Sequence, residues 1–234
     1  MAAGPDTYLV LIPSYEPGAR LAGTVADALC RWPHVWLVID GGDDDSGVES
    51  QDGLRVIRRA RNGGKGAAVL EGVRAAVLEG FTHALVMDAD GQHPAAEIGR
   101  FIEISMRNPS SMILGVPIFD ASAPRVRVLG RRISNVLARL EARRGIGDAL
   151  FGFRVYPLRR LLMVMEASRH MRRYDFDTEA VVRLCWEGVP VVNVPAAVRY
   201  FSVAEGGVSH FRYGRDNLLL AAMHLRLICG ALCR

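Results

Sequence analysis

The stretch of sequence that most constrains the fold of this chain lies at residues 81–94. An apolar run at 84–87 leads directly into Asp88, Asp90, Gln92 and His93. A buried strand that ends in polar residues is typical of open α/β sheets, which place their ligands at the carboxyl ends of the strands. Two carboxylates one residue apart, with an amide oxygen nearby, suit a hard divalent cation such as Mg²⁺ or Mn²⁺. Acids at a strand end are also common as solvated loop residues or helix caps, so the spacing alone leaves both interpretations open.

Length and composition predict one globular domain. At 234 residues the chain is long enough to bury a sizeable core. Half of the residues are hydrophobic and 23% are charged, which is ordinary for a soluble protein. The net charge is only +4, and the acids at 43–45 do not build a basic stripe with interleaved aromatic residues. The sequence therefore predicts no nucleic-acid partner.

The basic residues have an unusual composition, because Lys65 is the only lysine among the 29 lysine and arginine residues. Coding bias accounts for most of the preference for arginine. The alternative is that this position requires a compact ammonium, since a guanidinium is planar and bulkier.

Cysteine usage and hydropathy predict a cytoplasmic protein. The four cysteines are scattered and match neither a zinc pattern nor a redox pair, so we expect free thiols in a reducing compartment. The N-terminus lacks the features of a signal peptide, and no apolar run approaches the ~20 residues that span a bilayer. The last apolar segment is interrupted by His224 and Arg226, which suits a packed helix or an interfacial one. Peripheral contact with the inner face of the cell membrane stays open.

The order of apolar segments predicts an α/β fold with a mostly parallel central sheet and helices on both faces. In the first half, the predicted strands are Tyr8 to Ile12, Val35 to Ile39, Leu54 to Arg58, Ala84 to Met87 and Ser111 to Val116. The predicted helices are Ala19 to Arg31, a segment within Gly63 to Gly80, and Ala95 to Met106. In the second half, helices are predicted at Arg125 to Arg144, Leu158 to Glu166, Asp177 to Glu187 and from Gly214 to the end. Strands are predicted at Asp148 to Tyr156, Val189 to Val194 and Ala197 to Phe201.

Two further loops of the first half offer groups that bind ligands. Asp40 follows the second strand beside glycines, where a carboxylate can accept from a ribose hydroxyl or a base N–H. Gly63, Gly64 and Lys65 open a helix, and loop amides, a helix N-terminus and an ammonium together form an anion site. An ordinary acidic turn and a solvated glycine turn are the alternatives.

The order of these pieces resembles family 2 glycosyltransferases of the GT-A fold, and most closely the dolichol-phosphate mannose synthase branch. The resemblance covers residues 7 to about 201. It is carried by Pro13-Ser14-Tyr15-Glu16, Val38-Ile39-Asp40-Gly41-Gly42, Asn62-Gly63-Gly64-Lys65-Gly66 and Asp88-Ala89-Asp90-Gly91-Gln92-His93-Pro94.

The resemblance implies roles for the matching residues. Those that line or approach the nucleotide pocket would be Pro13, Tyr15, Glu16, Asp40, Lys65 and Asp88. Those that hold the divalent ion on the donor diphosphate would be Asp88, Asp90 and Gln92. It also implies a division into a donor half at 7–118, an acceptor half at 119–213 and a C-terminal apolar helix at 214–234.

The second half matches the family more loosely. Gly152-Phe153-Arg154 fits a family motif, but Phe151 stands where serine is usual, and the strand from Ile113 to Pro117 lacks the usual arginine. The residues that resemble contacts to the acceptor phosphate or to the donor diphosphate are Arg131, Arg132, Ser134, His210 and Arg212. The alternative for the arginine-rich helix is a solvated face, and for His210 and Arg212 a surface loop.

Asp177 and Glu179 fall where the family has an acid close to the acceptor. One of them would be the general base if the acceptor is a hydroxyl, whereas an acceptor phosphate is already a nucleophile and requires no base. Plain helix capping of Asp177 and a dipole interaction of Glu179 explain the same residues.

The resemblance implies a metal-dependent, inverting transfer of a sugar from a UDP- or GDP-sugar to a lipid-linked acceptor. Two alternatives remain within the family: a relative that binds nucleotide sugars without catalysis, and an enzyme that acts on a hydroxyl acceptor in a lipid or pigment pathway. Nucleotidyl transfer is disfavoured, because Pro13 to Gly18 is not the glycine-rich loop with Arg and Lys that this class shows.

Overall fold

The protein is described by a computed structural model, which covers residues 6–16, 19–41, 47–119, 125–198 and 213–234. Within these ranges, seven strands form one sheet, and there are seven α-helices. The strands are β1 (Tyr8–Ser14), β2 (Val35–Ile39), β3 (Leu54–Arg58), β4 (His83–Val86), β5 (Met112–Ile118), β6 (Arg154–Pro157) and β7 (Val191–Ala197). The helices are α1 (Leu21–Leu29), α2 (Lys65–Leu78), α3 (Ile98–Arg107), α4 (Arg125–Ala142), α5 (Leu158–Glu166), α6 (Asp175–Trp186) and α7 (Tyr213–Leu232).

The sheet has the strand order β3-β2-β1-β4-β6-β5-β7 and is mostly parallel. Only β6 runs against its neighbours, β4 and β5. The parallel strands β2, β1 and β4 are therefore adjacent, and their carboxyl ends meet at one edge of the sheet. The predicted α/β fold with a mostly parallel sheet is confirmed.

Apolar side chains cover both faces of the sheet. Leu9 and Leu11 of β1 face a cluster that includes α2, α5 and α6, whereas Val10 and Ile12 face one that includes α1 and α3. All four side chains are fully buried. A strand buried on both faces reads as a continuous apolar run, which is why the central strands are recognisable in the sequence.

Two predicted elements of the second half were wrong. The segment 148–153 is irregular, and only 154–157 forms β6, because the Asp148 carboxylate accepts from the amides of Leu150 and Phe151 at 2.8 and 2.7 Å. The break predicted at Pro195 is absent, because β7 pairs with β5 straight through that residue, while residues 199–201 of the second predicted strand lie outside the described residues. Because β7 lies at the edge of the sheet, one of its sides carries no ladder, and a proline is tolerated there.

Candidate functional site

The functional groups gather where β1, β2 and β4 end. The backbone N–H of Asp40 donates to the Ser14 carbonyl at 2.8 Å, and that of Met87 donates to the Leu11 carbonyl at 3.0 Å. These ladder bonds hold the first residues after β2 and β4 against β1. The predicted site residues from these three loops are thus brought to one edge of the sheet.

A partly buried ion triad is the centre of this edge. The Lys65 ammonium lies 2.7 Å from the Asp88 carboxylate and 2.8 Å from that of Asp177. Burial alone would lower the pKa of Lys65, but Asp177 and Asp88 together hold it above its ordinary value. Burial would raise the pKa of Asp88, yet chiefly Lys65, and also His93, lower it to about 2. The triad joins the start of α2, the end of β4 and the first turns of α6.

The irregular loop 148–153 closes over this triad. A Cβ atom placed on Gly152 would lie 2.8 Å from the Lys65 ammonium and 2.9 Å from an Asp88 oxygen. Any other residue would displace the tip of one of these two side chains, whereas a glycine leaves their ion pair in place. The Gly-Phe-Arg motif of the sequence therefore owes its glycine to contact with the acidic cluster.

His93 and two phenylalanines support the Asp88 backbone. The His93 ring accepts from the Asp88 N–H through Nδ1 at 2.8 Å and meets Phe151 and Phe153 edge-on, with centroids 4.7 and 5.6 Å away. Burial lowers the pKa of His93 to about 4, so the ring is neutral at pH 7. Phe151, which replaces the usual serine of the family, thus packs against a residue of the acidic loop.

Asp90 and Gln92 lie beside Asp88 and are half-buried. An Asp90 oxygen accepts from the Gln92 N–H at 2.9 Å. Burial, and then the neighbouring Asp88 charge, raise the pKa of Asp90 to about 6. Two carboxylates that repel one another in a partly buried loop present the charge that a divalent cation neutralises.

The residues present are compatible with such a cation without forming a complete cage. Within the described ranges, no three His, Cys, Asp or Glu side chains are arranged to hold a metal ion. Mg²⁺ and Mn²⁺ commonly take one or two carboxylates together with substrate phosphates, so a full set of protein ligands is not required. Asp88, Asp90 and Gln92 supply the oxygen atoms that this mode uses.

In the predicted anion site at the start of α2, the loop amides bind a side-chain carboxylate of the protein. The Gly63 and Gly64 amides donate to the Asp40 carboxylate at 3.1 and 2.5 Å, and Arg59 pairs with the same group. Asp40 is only 1% exposed. The loop amides therefore bind a carboxylate of the chain itself, which corrects the expectation that they face a ligand, and Lys65 points instead to Asp88 and Asp177.

Three predicted nucleotide-binding residues follow one another at the end of β1. Pro13 is buried within the strand, Tyr15 is half-buried and Glu16 is exposed. The Tyr15 hydroxyl donates to the Glu16 carboxylate at 2.6 Å, and Glu16 has a φ of 43°. Their roles as nucleotide contacts stay a prediction.

The predicted acceptor residues of α4 are engaged with other parts of the chain. Arg131 pairs with the buried Asp148 at 2.9 Å, whereas Arg132 is exposed. The Ser134 hydroxyl lies 2.8 Å from His224 of α7, whose other ring nitrogen lies 2.8 Å from the Glu141 carboxylate. The predicted residues His210 and Arg212 lie outside the described residues.

Asp177 and Glu179, the two candidate bases, have different surroundings. Asp177 is not a helix cap, since α6 begins at Asp175 and the Asp177 side chain bonds to Lys65. Glu179 is fully buried and accepts from Arg183 and Arg226 at 2.8 and 2.9 Å. The structure brings Asp177 to the acidic cluster and leaves Glu179 in a separate ion network.

Arg154 is a central residue to which sequence reasoning gave no role. Its fully buried guanidinium donates to the Tyr156 hydroxyl at 3.0 Å and to the backbone carbonyl of Asp177. It fixes the first turn of α6 to the sheet and so positions Asp177. The Gly-Phe-Arg motif drew attention to Arg154, but its partner, the Asp177 carbonyl, lies 23 residues further along the chain.

The fold and the site define an α/β protein that assembles acids and an ammonium at the carboxyl edge of its sheet. Residues 9–161 match the model of Glycosyl transferase family 2, and the chain belongs to that family.

Two relatives and one solved structure refine this assignment. The polyprenol monophosphomannose synthase of Mycolicibacterium smegmatis is 27% identical over 215 residues, which cover 86% of this chain and 79% of that protein. The UDP-N-acetylglucosamine–dolichyl-phosphate N-acetylglucosaminyltransferase of Methanococcus voltae is 24% identical over 156 residues, or 64% and 62% of the two chains. Glucosyl-3-phosphoglycerate synthase of Mycobacterium tuberculosis, solved with Mn²⁺, UDP and glucosyl-3-phosphoglycerate, superposes with a TM-score of 0.63 at 17% identity, over 95% of this chain and 77% of that one.

These similarities confirm the predicted family, its dolichol-phosphate mannose synthase-like branch and the GT-A fold. The protein is a glycosyltransferase.

Proposed function

We propose that this glycosyltransferase moves a sugar from a nucleotide-sugar donor to a lipid-linked phosphate, in a single inverting displacement that requires Mg²⁺ or Mn²⁺. The observation that carries the proposal is the triad of Asp88, Lys65 and Asp177. It joins the acidic loop after β4, which belongs to the proposed donor half at 7–118, to α6 of the proposed acceptor half at 119–213.

Asp88, Asp90 and Gln92 would hold the metal. When bound, the cation neutralises the charge that builds on the nucleoside diphosphate as it leaves. The raised pKa of Asp90 supports this role, because burial and the Asp88 charge together outweigh the attraction of Lys65 and disfavour a second negative charge that a cation would stabilise. The Mn²⁺ and UDP in the solved structure of similar fold support the same cofactor and donor class.

The surroundings of Asp177 favour a phosphate acceptor over a hydroxyl. A general base must accept a proton, and Asp177 is already paired with the Lys65 ammonium at 2.8 Å. An ionised phosphate oxygen requires no base. It attacks the anomeric carbon, the bond from that carbon to the donor diphosphate breaks, and the nucleoside diphosphate leaves with the electron pair. The two relatives, a polyprenol monophosphomannose synthase and a dolichyl-phosphate N-acetylglucosaminyltransferase, support this acceptor class.

Arg131, Arg132 and Ser134 would bind the acceptor phosphate. Arg132 is exposed and accessible to an anion. Arg131 is bound to Asp148, and Ser134 is bound to His224. Each would either leave its present partner for the phosphate or bind both. His210 and Arg212 would meet the donor diphosphate, and Pro13, Tyr15, Glu16 and Asp40 would shape the nucleotide pocket.

Calorimetric titration with UDP, GDP and their sugars, with and without Mn²⁺, tests the donor site. We expect one nucleotide to bind only with the metal, and Asp90→Ala to abolish that binding. Asp27→Ala, at an exposed position on α1, is the matched control and should bind normally. Transfer to a short-chain polyprenyl phosphate is then measured. Metal-dependent nucleotide binding with transfer only to hydroxyl acceptors would refute the phosphate acceptor, and binding without any transfer would favour a non-catalytic relative.

A further inference from the structure

The exposed apolar side chains of the molecule are concentrated on α4 and α7. Of the eleven large hydrophobic residues exposed in the described ranges, seven lie on these two helices. On α4 they are Ile133, Val136 and Leu140, and on α7 they are Leu218, Leu225, Ile228 and Leu232. The other four are spread over four different elements, which is the ordinary scatter of a protein surface. We call the seven residues the α4–α7 face.

The spacing of these residues puts them on one side of each helix. Positions 133, 136 and 140 follow the i, i+3, i+7 pattern, and positions 218, 225 and 232 repeat every seven residues. The opposite sides are buried, with Ala138 on α4 and Met223 and Leu227 on α7 fully inaccessible. Each helix is therefore apolar on its outer side as well as on its inner side.

The two outer sides adjoin one another. Ser134 and Glu141 of α4 contact His224 of α7, and Arg143, which directly follows α4, donates to the Ala231 carbonyl of α7. On each helix these contacts lie between the buried side and the exposed apolar side. The exposed residues therefore form one surface that continues across the line where the helices meet.

Charge identifies the partner of this surface. The only acids in the two helices are Glu141 and Asp216, and both are buried. Exposed arginines lie on these two helices or directly after α4, namely Arg132, Arg139, Arg143, Arg144 and Arg215. A second copy that presented the same surface would bring arginine against arginine. An anionic lipid bilayer instead offers phosphates to the arginines and acyl chains to the leucines.

We propose that the α4–α7 face is the surface through which this protein lies on an anionic phospholipid bilayer. Within the described residues, no helix combines the length and the hydropathy that a bilayer crossing requires. The contact is therefore interfacial, with the helices in the plane of the headgroups. The inference deepens the proposed function, because Arg132 and Ser134 stand on the same helix and would meet a lipid phosphate at the membrane surface.

Co-sedimentation of the full chain with vesicles tests the proposal. We expect binding to vesicles of phosphatidylglycerol and phosphatidylcholine, little binding to phosphatidylcholine alone, and weaker binding as salt rises. The triple variant Leu218→Gln, Leu225→Gln, Leu232→Gln should lose at least about tenfold in partition, from the lost apolar contact. Arg144→Glu and Arg215→Glu should each weaken binding to the anionic vesicles by about fivefold or more.

The matched control removes exposed apolar residues elsewhere, through Leu78→Gln, Met106→Gln and Met163→Gln on α2, α3 and α5. Equal loss of vesicle binding in the control and the triple variant would overturn the proposal, as would undiminished binding in the triple variant. A native dimer in light scattering that the triple variant converts to a monomer, with vesicle binding unchanged, would assign the face to self-association instead.

Transfer to a water-soluble, short-chain acceptor phosphate separates this proposal from the proposed function. The triple variant should retain that activity while it loses activity on acceptor embedded in vesicles. If the native chain transfers sugar to neither acceptor but still binds anionic vesicles, the proposed function fails and the membrane surface stands.

Discussion

Asp40 and Asp88 both follow parallel strands, β2 and β4, yet their surroundings differ. Asp40 is 1% exposed and bound by Arg59 and two backbone amides. The Asp88 side chain is 33% exposed and meets Lys65, which it shares with Asp177. A carboxylate saturated by fixed donors holds a loop together, whereas one paired with a shared side-chain cation can exchange its partner. The position of an acid after a strand therefore does not by itself distinguish a carboxylate held by fixed donors from one that can exchange its partner.

Asp88→Asn should have the largest effect if this contrast is correct. We expect transfer to fall by roughly a thousandfold, because the site loses a charge that acts on the metal and the leaving group. Steady-state kinetics at saturating Mn²⁺ measure the loss. The free energy of unfolding should change by no more than about 1 kcal/mol, because the group is partly solvated. A variant that unfolds instead would make Asp88 as structural as Asp40.

Asp40→Ala should show the reverse pattern. Removing the carboxylate leaves Arg59 and the amides of Gly63 and Gly64 without their partner, and we expect a loss of about 3 kcal/mol in the free energy of unfolding. Urea denaturation followed by circular dichroism measures it. Asp52→Ala, at an exposed loop position, should stay within about 0.5 kcal/mol of the native chain. Normal stability in Asp40→Ala would break the comparison.

The pH dependence of the stability of Lys65→Gln is a further test of the comparison between Asp40 and Asp88. Without the ammonium, Asp88 faces Asp177 as a like charge, so the folded-state pKa of Asp88 should rise above its unfolded value. The stability of the variant should then fall as the pH rises from 4 to 7, so that its deficit relative to the native chain widens by about 2 kcal/mol over this range. The native chain, whose Asp88 pKa is held near 2, should show no such loss between pH 4 and 7. Equal deficits at the two pH values would contradict the shared-cation interpretation.

Phe151→Leu should have the smallest effect. The His93 ring loses an edge contact but keeps a similar apolar volume beside it, so we expect about 1 kcal/mol of destabilisation. Donor affinity, measured by calorimetry, should stay within about threefold of the native value if the remaining contacts hold the acidic loop. A much larger loss of affinity would show that this one ring fixes the Asp88 loop.

Local patterns in the sequence predicted the first half of the sheet well. β2 and β3 have the bounds that their apolar runs indicated, because a strand buried on both faces carries its signal in every residue. The edge strand β7 was misread at Pro195, where the absence of a ladder on one side removes the usual penalty.

The candidate site was predictable only in part, because its partners are distant in sequence. The acidic loop at 88–93 was visible as a motif, and so was Lys65. Their connection was not, since Lys65 and Asp177 are 112 residues apart. The same is true of Asp40, whose partners at Gly63 and Gly64 were expected to bind a ligand. The local sequence pattern does not encode contacts of this kind, because they depend on which strands are adjacent in the sheet.

The burial of Met223 and Leu227 gives the last helix a mechanical role. Because its inner side belongs to the core, α7 cannot tilt or detach without disrupting its packing on α4 and α6. A membrane held on its outer side would keep the catalytic edge at a constant height and orientation above the bilayer. The enzyme would then search for its acceptor in two dimensions, with only its lateral position and its rotation about the membrane normal left free.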